Sequence, residues 1–266
     1  MAENYRTGVN VEYYKPLFKD FLNENKELLI QSKYPYGIFI PYVFPNYHQA
    51  PVKIFYVGRD TDCWGTRDDM LDCYNENNIE KYFEINQSHV TVEDALLRWG
   101  NGSGAYWSFV NKLHLYIRTG EVKNLTNLNE NEIEILKEVG YGNMNCMELK
   151  QTLLKKYWPW EFDFDKLDSL RQESLKLDRI SHIVKAYKPD IIVILTWSGK
   201  EEDYLDIEHT WHEEYFKHNI HSVFSLQGYN TKVIWSSHPN RFSRLGENQE
   251  SMVHELGDLI LNFLNK

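Results

Sequence analysis

Cysteine is scarce in this chain: three among 266 residues, at Cys63, Cys73 and Cys146. An odd number at irregular spacing excludes a disulfide framework and a four-cysteine metal or iron–sulfur site. The thiols are expected to be reduced and partly buried. Proline and glycine, 8 and 14 in number, never gather into a linker, and no internal repeat or low-complexity tract interrupts the chain. One domain over residues 1–266 is therefore expected. Long apolar runs are missing too. No stretch approaches the length of a membrane span, and the amino-terminal MAENYRTGVNVEYYK has no signal-peptide core. The expectation is a cytoplasmic protein without a membrane partner. The sequons at Asn86, Asn101 and Asn124 then read as chance matches.

Positive charge is also in deficit, with a formal net charge of −10. Phosphate neutralisation supplies much of the affinity of nucleic-acid binders, so this balance weighs against a broadly polyanion-binding surface. The charge is uneven, however. Lys200–Glu214 carries seven carboxylates against one lysine, whereas Trp235–Gly246 carries His238, Arg241 and Arg244 and no acid. A basic edge on an acidic body is compatible with both segments.

Aromatics are abundant, at 15% of residues. Apolar positions at helical spacing predict helices over about Val11–Ile30, Val92–Trp99, Ala105–Ile117, Asp168–Tyr187 and around Met252–Leu264. Short apolar runs predict strands at Lys53–Val57, Asp190–Thr196 and Thr231–Ser236, with a weaker one at Val139–Asn145. Gly37–Pro51 reads as an extended loop. Strands alternating with helices imply an α/β fold, a three-layer α/β/α sandwich around a central, mainly parallel four-stranded sheet. Ligands of such sheets bind beyond the carboxyl ends of the strands. Two segments there concentrate polar, ionisable and aromatic residues: Gly58–Gly65 and Ser236–Arg244.

These segments resemble motifs of the uracil-DNA glycosylase superfamily. Gly58-Arg-Asp60 falls on the Gly-Gln-Asp that follows the family's first strand, and His238-Pro-Asn240 falls on the His-Pro-Ser after its last. Lys188–Gly199 is similar to the third strand and the small-residue turn behind it. Arg59, Thr61, Asp62 and Cys63 stand where the best-known branch has Gln, Pro, Tyr and His. Asn240 and Arg241 stand where Ser and Pro are common. The resemblance is to a divergent, glycosylase-like member rather than a uracil-specific one, and the cysteine count excludes the iron–sulfur branch.

The resemblance implies N-glycosidic cleavage of a base in DNA, in repair or nucleic-acid modification, without metal or other cofactor. Asp60 would stabilise the sugar cation and orient water, and His238 would donate to the departing base. Gly58 and the amides after it would let the base approach closely. Asn145, with Asn143 next, would read the base, and Trp64 would offer a stacking face. Arg59, Thr61, Pro239 and Asn240 complete the substrate-binding set. Ser236, Ser237, Arg241 and Arg244 would grip phosphates around a flipped nucleotide.

Each residue has a structural rival. Asp60 suits a helix cap near Arg67, His238 a satisfied loop histidine, and Trp64 the core. Arg59 suits a local ion pair, and Arg241 and Arg244 solvent. His209/His212 and His218/His221 have three-residue spacing, but no third metal ligand accompanies them. Two other functions stay open: a non-catalytic nucleic-acid or nucleotide binder, and a hydrolase of a small nucleobase-containing molecule, for which an acidic surface is no handicap.

Overall fold

A computed structural model describes residues 8–60, 64–88, 105–147, 179–196, 204–215 and 219–264, together with residues 166, 169, 170, 173 and 177. Its strands are β1 (Tyr42–Val43), β2 (Ile54–Asp60), β3 (Val139–Asn145), β4 (Ile191–Thr196), β5 (His209–Trp211), β6 (Ile220–Leu226) and β7 (Lys232–Ser237). They form one seven-stranded mixed sheet in the order β1-β3-β2-β4-β7-β6-β5. The α/β class stands, and the four expected strands are its parallel centre.

The four-stranded sheet is corrected to seven. β1, inside the segment read as a loop, adds antiparallel to β3, and β6 and β5 add antiparallel beyond β7. β6 escapes a search for unbroken apolar runs because His221 and Ser225 sit on its half-buried positions. β5 is three residues inside an acidic stretch, too short for any period to register.

Side chains alternate across a strand, so neighbours on β2 meet different helices. Phe55 stacks on Tyr187 of α6 (Ile180–Tyr187) at 5.3 Å between ring centroids. Next to it, Tyr56 meets His114 of α4 (Ala105–Thr119). Helix α1 (Val11–Ser32) packs beside α6, where Tyr13 Oη and His182 Nδ1 share a 2.9 Å hydrogen bond. On the other face α7 (Gln249–Leu264) packs on α4, and Tyr116 Oη donates to Asp258 Oδ1 at 2.7 Å.

The helix over Asp168–Tyr187 is corrected as well. Arg179 is extended (φ −61°, ψ 143°) and forms the N-cap of α6, so no single helix runs through to Tyr187. The expected helix Val92–Trp99 lies outside the described residues. The short helix expected near Arg67 is α2 (Arg67–Asn75), and two further helices were not expected: α3 (Ile79–Ser88) and α5 (Glu130–Leu136). Among the described residues no helix is long and apolar enough to cross a membrane.

Candidate functional site

β3 lies on one side of β2 and β4 on the other, so the chain reverses its direction of travel across the sheet at β2. In α/β sheets of this kind, ligands bind beyond the carboxyl ends of the strands at such a switch point. β2 brings Gly58 there, and β3 brings Asn143, its registered partner. A Cβ on Gly58 would lie only 2.6 Å from Asn143 Oδ1. That is closer than atoms tolerate, so glycine lets the carboxamide stand against the β2 backbone. Asn143 is 1% exposed, and its Oδ1 accepts a 3.0 Å hydrogen bond from Tyr141 Oη. This bond fixes the amide's orientation and leaves its amino group as a donor.

β7 and α4 bring further residues to the same end of the sheet. The His238 amide donates to Thr196 O at 2.8 Å, which ties the loop after β7 to the end of β4. Its ring Nδ1 accepts from the Asn240 amide at 3.2 Å, capping the turn Pro239–Leu245. With Nδ1 accepting, a neutral ring carries its proton on Nε2. The ring is neutral at pH 7. Burial, and after it the positive charge of Arg59, lowers the His238 pKa from 6.5 to about 4. Tyr106, in the first turn of α4, bridges the two halves. Its Cε2 and Cζ lie 3.5 and 3.6 Å from the position of a Cβ on Gly58. The same ring faces His238 at 6.1 Å between centroids and 29° between planes.

The other expected site residues fall in several places. Asn145 donates through Nδ2 to Arg59 O at 2.9 Å and so stitches β3 to β2. Of the two asparagines, Asn143 therefore has its amide beside Gly58. Trp64 is 8% exposed and packs edge-on against Phe39 at 4.7 Å and in parallel with Tyr42 at 5.7 Å. Ser237 and Ser236 are fully buried; their hydroxyls engage His221 Nε2 and Asn219 O, at 3.1 and 2.8 Å. Arg59 lies near His238, and Arg241 is half-buried near His221. Pro239 is buried, whereas Asn240 and Arg244 are exposed.

Asp60 ends β2 opposite Asn145; its side chain, with Thr61, Asp62 and Cys63, lies outside the described residues. The N-cap of α2 is Thr66, whose Oγ1 accepts from the Asp69 amide at 3.1 Å. His209 Nδ1 pairs with Ile207 O and His212 Nε2 with Ser225 Oγ, while His218 lies outside the described residues.

Sequence reasoning missed Tyr106, Tyr141 and Tyr42. Tyr141 and Asn143 share a strand face by their spacing of two, a signal legible once β3 is taken as a strand. Nothing local marks Tyr106. Compared with known proteins, the chain matches no family model and no curated protein.

Proposed function

We propose that this chain is a divergent, glycosylase-like protein that cleaves the N-glycosidic bond of a base in nucleic acid. One observation carries the reading: the Tyr106 ring lies against Gly58, which Asn143 flanks from β3, and faces His238 beyond the end of β7. In such a cleavage the C1′–N bond breaks and its electron pair leaves with the base. Water then adds to the sugar cation and releases a proton. His238, neutral and bearing Nε2–H, suits the departing anion as a donor that needs no prior protonation. The Asn143 amino group supplies a second donor at the base edge. Both donors favour a base that presents carbonyl oxygen or unprotonated ring nitrogen. Asp60 takes the sugar-side role that the motif resemblance implies.

A second reading, hydrolysis of a free nucleoside or nucleotide, draws support from charge. The net charge is −10, and Asp206, Glu208, Glu213 and Glu214 are all exposed. One experiment separates the readings: release of free base from single-stranded oligonucleotides, duplexes and nucleosides bearing normal and damaged bases. Release from oligonucleotides is expected, and Asp60→Asn lowers it more than tenfold while binding persists. Release from nucleosides alone selects the second reading. Binding without release from any substrate leaves a non-catalytic binder, and unchanged turnover removes Asp60 from the mechanism.

A further inference from the structure

Tyr106 holds a polar group that the fold does not use. Its hydroxyl is buried and has no hydrogen-bond partner among the described residues. Native structures rarely leave a buried hydroxyl in this state, because it has surrendered its hydration for nothing in return. Cζ, the carbon bearing the hydroxyl, is the atom lying 3.6 Å from the Cβ position of Gly58. The phenol end therefore overhangs the same point as the Asn143 carboxamide. The ring behind it is clamped by Tyr141 and Trp107, at 5.8 and 5.6 Å between centroids. Tyr42, in the same aromatic cluster, has another buried hydroxyl without a partner among the described residues. Burial first, and then the neighbouring phenols Tyr141, Tyr42, Tyr56 and Tyr204, push the Tyr106 pKa well above 10, so the group stays protonated.

We infer that Tyr106 is a specificity-determining residue whose hydroxyl hydrogen-bonds a polar edge group of the heterocycle held between Gly58, Asn143 and His238. This inference rests on the base-binding reading above and adds the discriminating contact. The aromatic clamp fixes the hydroxyl in space, so a base with a polar substituent at that position satisfies it. A base with hydrogen or methyl there leaves it stranded. Sites built this way reject analogues that lack the matching group far more strongly than apolar pockets reject a misfit.

The test is Tyr106→Phe, which keeps the ring and removes the one atom in question. Binding of free uracil, thymine, cytosine, adenine, hypoxanthine and guanine is followed by calorimetry for the wild type and the variant. Thermal unfolding is measured without ligand. For the best-bound base, Tyr106→Phe is expected to weaken binding about fivefold or more, one net hydrogen bond's worth. It should narrow the spread across the panel and leave the unliganded melting temperature unchanged or raised. Equal affinities in both proteins overturn the inference and leave the base site standing. A lowered melting temperature also overturns it, since the hydroxyl then serves the fold. If the wild type binds no base at all, the base-binding reading fails and takes this inference with it.

Discussion

Gly58→Ala probes the packing at the centre of the site. Gly58 lies in a strand, and no positive φ protects it, so alanine carries no backbone strain there. The difficulty is space. The new Cβ would stand 2.6 Å from Asn143 Oδ1, with the Tyr106 ring 3.5 Å away on another side. The carboxamide must give way, yet it is 1% exposed and held by Tyr141 Oη at 3.0 Å. Overpacking of this kind costs roughly 1–3 kcal/mol, and a broken hydrogen bond adds about 1 kcal/mol. Against this, alanine restricts the unfolded chain and returns about 0.5–1 kcal/mol. A net loss of about 1–3 kcal/mol is expected from urea unfolding.

The diagnostic measurement is a double-mutant cycle with Asn143→Ala. In that background the clash is gone, so Gly58→Ala should cost almost nothing, giving a coupling of at least about 1 kcal/mol. Additivity within about 0.5 kcal/mol would show that the Gly58–Asn143 contact is not the constraint, and the geometry argued for the site would fall with it.

Two further predictions concern protonation and folding. His238 should titrate near 4 by proton NMR, and Arg59→Gln should move it upward while leaving it below 6.5, because burial is the larger cause. The unfolded ring binds its proton at higher pH than the folded one. Its contribution to stability is therefore full above about 6.5 and is lost as pH falls toward 4. A wild-type titration near 6.5 would refute the buried setting argued for the ring. Separately, Tyr187→Phe should destabilise by about 1–2 kcal/mol in thermal unfolding. Its hydroxyl accepts from the Asn10 amide at 3.0 Å and donates to Pro41 O, joining the start of α1 to the segment before β1. An unchanged melting temperature would show that these bonds contribute nothing.

Local pattern carried much of the fold. Ile191–Thr196 is buried at every position, which is why an unbroken apolar run marked it as an inner parallel strand. β3 was fainter because Gly140 and Gly142 replace apolar residues where the Phe55 ring fills the space. A Cβ on Gly140 would lie 2.1 Å from that ring, a demand made by a residue far away in sequence. Thr66, rather than Asp60, caps α2 and illustrates the limit of single-residue reasoning. Several residues could serve as a cap, and only the path of the loop decides among them.

The amino-acid order by itself determined the α/β class and the four parallel strands, because apolar runs and breaker residues act over a few positions; β2 runs on through Asp60 and β7 through Ser237, into the segments expected to follow them. Pairing between distant segments decided the rest: the three added strands, the choice of Asn143 over Asn145 as Gly58's neighbour, and the presence of Tyr106 against both Gly58 and His238. Both asparagines sit on the same face of β3. Strand register sets which one reaches the glycine, and register is a property of two chains of atoms meeting, absent from either alone.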